Sequence, residues 1–444
     1  MRVGVVTRVD DQSDTVDLGV DRQADLVLGS EPNAHMSLHR VDAALAELGA
    51  SSSALADDFL RSAVTVFAAD TRIARAFADD EWTRSIAVSI PVSDPDRWEA
   101  ARPSFERALR FLSGDVWTLH FRRLSVNAPP RSRNTAATPD GALVSLFSGG
   151  LDSFIGALDA TAAGAPLVLV GHYTDGSASV PQGDAFAHIR RVMPATQHLG
   201  LMQCNIVAPR DAFGFGNDKE QRSRSMLFIA LGVAAARGLG ADGLIIPENG
   251  LISLNVPLND LRVGSYTTRT THPHFLSLLQ DVLDTVGLAI TLRNPYQFAT
   301  KGEMLRDCAI QTHLADGAAK TMSCAHATES HWTKGAPFMR HCGRCTACLI
   351  RRAAFAFAFG ADATSYTVMD LTDGELASNA AEGRDVRAVR MAAQRVVQRP
   401  DLAQFLILKP GPLRGNHGRY AELYVRGMTE LWRIVQNAQT RGAY

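Results

Sequence analysis

The 444-residue chain has little cysteine, no long apolar run and no excess of charge of one sign. With six cysteines and no signal-peptide core at its start, we expect a cytoplasmic protein without a disulfide framework. The longest apolar run, from Met226 to Ala236, is too short to span a bilayer, so we expect no membrane partner. Lys and Arg total 45 against 46 for Asp and Glu, and this balance argues against nucleic acid as a direct partner.

Two common nucleotide-binding fingerprints are also missing: the Gly-Lys-Ser/Thr end of a Walker A loop and the three spaced glycines of a dinucleotide fold. The chain has instead Ser-Gly-Gly-Leu-Asp-Ser at residues 148–153, directly after the apolar run Leu143 to Phe147. We predict a buried strand, a glycine-containing turn and a helix that begins near Asp152. The amides of such a turn and the positive end of the helix can bind phosphate oxygens. The alternative is an ordinary turn before a helix.

The residues of this turn have separate predicted tasks. Gly149 and Gly150 permit a close approach of the backbone to a phosphate, because a side chain at either position would fill the space. Ser148 and Ser153 can donate hydroxyl hydrogen bonds. Asp152 could orient the loop or help to hold Mg²⁺.

Four of the six cysteines form a pattern typical of a metal site: Cys324, Cys342, Cys345 and Cys348. Two-residue gaps let thiolates on one turn converge on one ion, and four thiolates complete a closed tetrahedral Zn²⁺ site. A redox pair at Cys345 and Cys348 is the alternative, but the further thiols favour a metal. The interval before Cys342 also holds three histidines, any of which could replace a cysteine as a ligand: His326, His331 and His341.

Together these motifs resemble the 7-cyano-7-deazaguanine synthases of the PP-loop ATP pyrophosphatase superfamily. That family has a Ser-Gly-Gly-x-Asp-Ser loop near its start and a Cys…Cys-Gly-x-Cys-x-x-Cys-x-x-Arg segment near its end, whose arginine falls on Arg351. Two weaker matches lie between them. The segment from Arg224 to Phe228 resembles an arginine-led helix, and Thr300 to Glu303 resembles a Thr/Ser-Lys-x-Glu segment. The resemblance covers roughly residues 141–357, and the motifs occur in the family's order.

This resemblance implies an enzyme that splits ATP between its α and β phosphates and adenylates a carboxylate, with Mg²⁺ and Zn²⁺ as its metals. In the family the substrate is 7-carboxy-7-deazaguanine, whose carboxylate becomes an amide and then a nitrile. We predict catalytic roles for Asp152, Lys301 and Glu248. Arg224 and Lys301 would neutralise phosphate oxygens, and solvated surface charges are the alternative for both. The loop residues predicted to bind ATP and pyrophosphate are Phe147, Ser148, Gly149, Gly150, Leu151, Asp152 and Ser153.

The family's substrate-side Tyr-Pro-Asp-Cys-Arg stretch has no clean copy here, so we predict a rebuilt substrate pocket. Glu248-Asn249-Gly250 and the run from Thr267 to His274 stand in its place. We expect Glu248 to act as a base for an incoming amine or to contact a purine-like ring, the alternative being a solvent-facing residue that does neither. The other predicted substrate-binding residues are Asn249, Arg269, His272 and Arg351.

We predict an α/β fold built on a doubly wound parallel sheet, because strands and helices alternate after the turn. The predicted strands here are Leu167–Val170, Leu201–Val207 and Gly243–Ile246, and the predicted helices are Ala185–Met193 and Arg224–Arg237. Ligands in this fold lie beyond the carboxyl ends of strands, which places Glu248 and the segment from His172 to Asp175 near the site. We divide the chain into an N-terminal α+β accessory domain (1–128), a linker (129–140), a PP-loop domain (141–357) with a zinc segment (324–351), and a helical C-terminal region (358–444).

The N-terminal domain has no evident catalytic cluster, and we interpret it as a module that binds a partner or covers the active site. Its predicted strands are Val64–Ala68, Ser85–Val92 and Val116–Phe121. A helix is predicted over Trp98–Leu112, in which Pro103 could mark the true first turn. In the C-terminal region we predict a helix from Tyr420 to Ile434.

The rebuilt pocket and the N-terminal module are similar to features of the divergent synthase-like proteins of bacterial antiphage defence, found in the Qat system and in type IV CBASS. This likeness implies a different nucleophile, such as the N-terminal amine of a partner protein from the same operon. An ordinary synthase that uses ammonia, a tRNA thiolase and a non-catalytic scaffold are the alternatives. Near-neutral charge and the zinc-type cysteines disfavour the thiolase, and the intact loop disfavours the scaffold.

Overall fold

The computed structural model describes residues 1–9, 15–29, 34–125, 138–194, 196–258, 269–329, 339–377 and 381–441, with the side chains of 381 and 382 left aside. Most of the predicted linker therefore lies outside the described residues, as do His331, Thr267 and Thr268. None of the helices in the described ranges has both the length and the apolarity needed to cross a bilayer.

The N-terminal part contains a four-stranded sheet of order β2-β1-β3-β4, in which every neighbouring pair is parallel. Its strands are β1 (Arg2–Val9), β2 (Arg22–Leu28), β3 (Ser85–Val92) and β4 (Val116–Arg123), and its helices are α1 (His39–Glu47), α2 (Ala54–Arg72) and α3 (Pro95–Ser113). A short 3₁₀ turn spans Arg75–Phe77. The predicted α+β arrangement is corrected to a parallel α/β one.

Two local predictions for this part are wrong. Residues Val64–Ala68 belong to α2 and not to a strand. Residues 58–71 of this helix are all buried, so it has no solvent-exposed face there and a short window of it cannot be told from a buried strand by periodicity. The helix α3 begins at Pro95, with Asp94 as its N-cap, and Pro103 is an exposed interior residue.

The second sheet has five strands in the order β7-β6-β5-β8-β9, and all of its pairs are parallel. The strands are β5 (Leu143–Leu146), β6 (Leu167–Tyr173), β7 (Leu199–Asn205), β8 (Gly243–Ile245) and β9 (Thr291–Arg293). The helices that follow them are α4 (Leu151–Ala162), α5 (Gly176–Val192), α6 (Arg224–Leu239), α7 (Gly250–Leu254), α8 (Pro273–Val286), α9 (Lys301–Asp307) and α10 (Leu314–Ala318). The predicted parallel α/β sheet is confirmed, and its order is doubly wound, reversing direction between β5 and β8.

The two sheets share one hydrophobic core. The helix α2 contacts β3 of the first sheet and α6 of the second, and α3 packs along α8. One cluster of buried side chains accordingly includes Phe67 and Val88 together with Val144 and Ala230. The N-terminal part is therefore packed against the five-stranded sheet through the contact between α2 and α6.

The C-terminal part is mostly helical. It contains α11 (Thr346–Phe359), α12 (Ala381–Gln398), α13 (Ala403–Leu406) and α14 (His417–Val435), a 3₁₀ turn at Pro400–Leu402, and two paired two-residue strands, β10 (Leu376–Ala377) and β11 (Thr440–Arg441). The helix α14 contacts α12, α11 and α7, so this region packs directly on the second half of the doubly wound unit.

Candidate active site

The turn at 148–153 lies at the carboxyl end of β5, where the strand order reverses. The amide of Phe147 still pairs with the carbonyl of Val170 on β6, at 2.7 Å. Gly150 is the N-cap of α4, and the first helical hydrogen bond runs from the Phe154 amide to the Gly150 carbonyl, at 3.0 Å. The amides of residues 151–153 precede this bond and form the positive end of the helix, which is where a phosphate binds. The predicted strand, turn and helix are confirmed.

Gly149 adopts a left-handed conformation, with φ of 78°. A Cβ atom at this position would lie 2.7 Å from the backbone nitrogen of Gln182 on α5. The carbonyl of Gly149 accepts a hydrogen bond from the amide of Met322, at 3.0 Å. The turn is thus held between α5 and the segment that leads to Cys324, and both the backbone conformation and the space require glycine.

We predict that Gly149→Ala lowers activity by at least a hundredfold, because the strained turn shifts its amides away from the phosphate position. The control is Gly183→Ala within α5, where an added Cβ meets no atom within 4 Å. That change is expected to stabilise the helix by about 0.5–1 kcal/mol and to leave activity intact. Steady-state kinetics and urea denaturation of both variants measure this. Equal activities would contradict the assigned geometry of the turn.

The two serines of the turn organise its backbone. Their hydroxyl oxygens lie 3.2 Å apart, and Ser148 Oγ accepts a hydrogen bond from the Gly150 amide at 3.2 Å. Ser153 Oγ donates to the carbonyl of Gly150 at 2.9 Å. Ser323, which directly precedes Cys324, accepts a hydrogen bond from the Leu151 amide at 3.4 Å. Sequence analysis missed Ser323, which links the zinc segment to the turn.

Asp152 is buried among three polar partners. One of its carboxylate oxygens lies 3.0 Å from the ammonium of Lys301, and both side chains are less than a tenth exposed. The other oxygen accepts hydrogen bonds from the backbone and side-chain nitrogens of Asn249, at 3.1 and 2.7 Å. Burial alone would raise the pKa of Asp152, but the charge of Lys301 and these hydrogen bonds hold it below its usual value.

A capping box explains the Thr-Lys-x-Glu motif. Thr300 is the N-cap of α9; its hydroxyl accepts a hydrogen bond from the Glu303 amide at 3.0 Å, and the Glu303 carboxylate accepts one from the Thr300 amide at 2.8 Å. Lys301 is therefore the first helical residue, in a fixed position facing Asp152.

Glu248 follows β8 and faces the same carboxylate. Burial, the negative charge of Asp152 and their mutual hydrogen bond raise the pKa of Glu248 well above its usual value. We assign the shared proton to Glu248, which then donates it to Asp152. Because its one O–H is used in this bond, Glu248 can offer a substrate only an accepting oxygen, and the predicted role as a base is disfavoured.

Arg224 begins α6 and lies across from the turn. Its Nε and one terminal nitrogen donate to His172 Nδ1 and to the His172 carbonyl, at 3.3 and 3.2 Å. The other ring nitrogen of His172 lies 3.2 Å from the carbonyl of Ile206 and carries the proton, since Arg224 can only donate. Burial and the charge of Arg224 lower the pKa of His172 to about 4, so the ring stays neutral and accepts from Arg224 at physiological pH.

These side chains line one cavity of about 610 Å³, a volume suited to a nucleotide-sized ligand. Lining residues include Ser148, Ser153, His172, Arg224, Glu248 and Thr271. The structure thus brings together the turn, the arginine-led helix and Glu248. Lys301 and Asn249 contact the Asp152 carboxylate, and both are buried.

Three of the predicted substrate-binding residues are held by protein contacts elsewhere. Arg269 donates to the Phe111 carbonyl at 3.1 Å and lies over its ring, while His272 caps α8 and packs on the same ring. Arg351 is 1% exposed and donates to Thr321 Oγ1 and the Ala318 carbonyl, at 2.9 and 2.8 Å. Substrate contacts by these three stay predictions, since their observed contacts are structural.

The four predicted cysteine ligands converge, their sulfur atoms all lying within 4.8 Å of one another. Two of the sulfur pairs, Cys324–Cys345 and Cys342–Cys348, are 4.0 and 3.9 Å apart. A tetrahedron with Zn–S bonds of about 2.3 Å has sulfur atoms roughly 3.8 Å apart, so the cluster can hold a zinc ion. Among the histidines considered as substitutes, His341 instead accepts a hydrogen bond from the Ser323 amide at 3.3 Å.

A buried carboxyl group from the C-terminal region supports α9. Glu430 on α14 is 6% exposed, accepts a hydrogen bond from the Thr300 hydroxyl and lies against Gly302. Burial raises its pKa to about 7, the hydrogen bond from Thr300 opposes this shift, and the charges of Glu303 and Arg426 act in opposite directions. No sequence motif marked Glu430, because its partners are more than a hundred residues away.

We predict that Glu430 makes the protein less stable as the pH rises. Its pKa in the folded state lies above the unfolded value of about 4.3, so the folded state binds more protons between these two values. The free energy of unfolding therefore falls by up to about 3 kcal/mol between roughly pH 4.5 and 7. Glu430→Gln should flatten this slope. Urea denaturation at pH 5 and pH 8 measures it, with Glu422→Gln at an exposed position of the same helix as the control. Identical slopes for wild type and Glu430→Gln would contradict this assignment.

Comparison with known proteins finds similarity to one group of curated enzymes. No family model matches the chain. Curated 7-cyano-7-deazaguanine synthases from Brucella canis, Brucella suis biovar 1 and Brucella abortus are 37% identical to it over 150 residues. The chain is similar to 7-cyano-7-deazaguanine synthases. The matched residues make up 34% of this chain. The chain spans about half of the length of each of these relatives (54%).

Proposed function

We propose that this protein is an ATP-dependent, ligase-type enzyme that adenylates the carboxylate of a 7-carboxy-7-deazaguanine-like substrate and releases pyrophosphate, for transfer to an amine. The observation that carries this proposal is a single cavity lined by Ser148 and Ser153 of the turn, by Arg224 and by Glu248. Similarity to the synthases supplies the substrate class.

The chemistry follows from the difficulty of attacking a carboxylate. An amine would have to expel oxide, whereas after adenylation it expels AMP. The carboxylate oxygen attacks the α phosphorus of ATP, the bond to the β-phosphate oxygen breaks, and pyrophosphate leaves. The amides of residues 152 and 153 and the guanidinium of Arg224 would stabilise the charge that develops on this leaving group.

Asp152 and Lys301 act in this proposal by holding the first turn of α4 in place. Their pairing at 3.0 Å and their burial leave Asp152 tied to protein groups on both oxygens. Mg²⁺, if it accompanies ATP, would then be held chiefly by the phosphates. Glu248, whose proton is directed to Asp152, would accept a hydrogen bond from a donor group of the purine-like ring.

Zn²⁺ would be held by Cys324, Cys342, Cys345 and Cys348, and its role would be structural. A site with four thiolates has no open position for catalysis. The segment that carries these cysteines also supplies Ser323 and the Met322 amide to the turn. Zinc binding would therefore fix one wall of the active site.

For the acceptor, we propose the amine of a partner protein in a cytoplasmic antiphage defence system. Two features support this finer proposal: the altered stretch after Glu248, whose Thr270 and Thr271 line the cavity, and the large N-terminal α/β part. A synthase that uses ammonia to make the nitrile is the alternative, and it is the activity named for the Brucella relatives.

Product analysis separates these two acceptors. The protein is incubated with ATP, Mg²⁺ and 7-carboxy-7-deazaguanine, first with ammonia and then with proteins encoded beside it, and products are identified by mass spectrometry. We expect pyrophosphate release and an added deazaguanine mass on one neighbouring protein. Efficient formation of the nitrile from ammonia would replace the defence proposal with the synthase one. Absence of pyrophosphate under every condition would overturn the proposed enzyme function.

A further inference from the structure

The segment that leads into α6 is tied to the N-terminal part by its backbone. The amide of Asp218 donates to the Thr71 carbonyl at 3.0 Å. Further along, the Ser223 amide and hydroxyl both donate to the same carboxylate oxygen of Asp70, at 2.8 and 2.7 Å. Ser223 is the N-cap of α6, and the next residue is Arg224. A carboxylate from α2 therefore fixes the point at which the arginine-led helix starts.

Asp70 is itself immobilised by buried charges. Its second oxygen lies 2.6 Å from Arg84, which also pairs with Asp115 at 2.6 Å. The same guanidinium donates to the carbonyls of Asp70 and Ile73, both at 2.7 Å. Asp70 is 1% exposed and Arg84 is 2% exposed, so neither can exchange its partners for water. Both oxygens of Asp70 are therefore held, one by the N-terminal sheet unit and the other by Ser223.

The same helix supports Arg224 from its other side. Phe67 on α2 packs edge-on against the ring of His172, with ring centroids 5.8 Å apart. His172 in turn accepts the hydrogen bonds of the Arg224 guanidinium. Ser223, which begins α6 just before Arg224, and His172, which accepts the hydrogen bonds of Arg224, are therefore both in contact with α2.

We propose that Asp70 is a positioning residue for Arg224, so that the N-terminal part is a structural component of the nucleotide site. This differs from a module that only covers the site or recruits a partner. The inference rests on the proposed ATP-binding role of Arg224. Its physical basis is that two hydrogen bonds to one immobile carboxylate set the direction of the first turn of α6, and with it the reach of the guanidinium into the cavity.

The test compares Asp70→Asn with Asp115→Asn. Both remove one negative charge from the same buried network, but Asp115 makes none of the contacts to Ser223. The probe is the affinity for α,β-methylene ATP, measured by calorimetry. We expect Asp70→Asn to weaken binding about tenfold and Asp115→Asn to change it less than twofold, because displacement of a binding group by a fraction of an ångström is costly. Equal losses in the two variants would overturn the inference.

A double-mutant cycle shows whether Asp70 acts through the arginine. In an Arg224→Ala background, Asp70→Asn should cause no further loss of affinity. Full additivity of the two losses would overturn the inference. If Asp70→Asn does not fold, Ser223→Ala replaces it: about a threefold loss is expected, and unchanged binding would overturn the inference.

Hydrogen exchange separates this inference from the proposed function. The amides of Ser223 to Met226 should exchange at least tenfold faster in Asp70→Asn than in wild type, and less than threefold faster in Asp115→Asn. This readout does not depend on ATP turnover. If wild type neither binds nor uses ATP, the proposed function fails, and unchanged exchange in Asp70→Asn would overturn the positioning role as well.

Discussion

Asp152→Asn and Lys301→Met are each expected to reduce ATP-dependent pyrophosphate release about a thousandfold. Each change leaves the other member of a buried ion pair without its partner, and the first turn of α4 loses its support. Each single variant should also lose about 3–5 kcal/mol of unfolding free energy, which is typical of breaking a buried pair. Initial rates and urea denaturation measure the two effects.

The double variant Asp152→Asn with Lys301→Met separates stability from activity. Without an uncompensated buried charge it should recover most of the lost stability, whereas activity should remain low because the carboxylate is still missing. Lys320→Met, at an exposed lysine, is the control and should match wild type in both measurements. Recovery of activity in the double variant would contradict the proposal that this ion pair positions the first turn of α4.

Removal of the metal is expected to have the other large effect. Structural zinc contributes about 10–16 kcal/mol in small zinc-binding peptides, so Cys345→Ser should release the ion and unfold the segment around it. We expect a fall in Tm of roughly 5–10 °C and loss of activity, because Ser323 and Met322 no longer hold the turn. Metal content by mass spectrometry and thermal unfolding check this.

The matched control for the metal prediction is Cys308→Ser. Cys308 is buried outside the cluster, so the same change of sulfur to oxygen is made there without altering a predicted metal ligand. This variant should keep one zinc per chain and full activity. Zinc retained at full occupancy in Cys345→Ser would contradict the assigned ligand set.

Sequence reasoning succeeded where the chemistry is local. The turn at 148–153 is formed by consecutive residues, and its structure matches the prediction. The cysteine cluster was predictable for a related reason, since three of its ligands lie within one turn and the start of α11. The spacing of these cysteines in the sequence was therefore sufficient to predict most of the cluster.

Contacts between distant parts of the chain were not predictable from patterns. Asp70 meets Ser223 across 153 positions, and Glu430 meets Thr300 across 130. Val64–Ala68 was predicted as a strand because α2 is buried on nearly all sides, which erases helical periodicity. The Asp70 contact and the strand error share one cause: the N-terminal part and the doubly wound sheet form a common core, and the local sequence does not show which surface a distant segment covers.

Pyrophosphate–ATP exchange tests the central claim most directly, because adenylation is reversible and needs no acceptor amine. Labelled pyrophosphate is supplied with ATP, Mg²⁺ and 7-carboxy-7-deazaguanine, and label in ATP is counted. The account predicts exchange that requires the deazaguanine carboxylate, persists without amine, and is lost in Gly149→Ala but kept in Gly183→Ala. Exchange that is independent of the carboxylate, or absent from the folded protein, would contradict it.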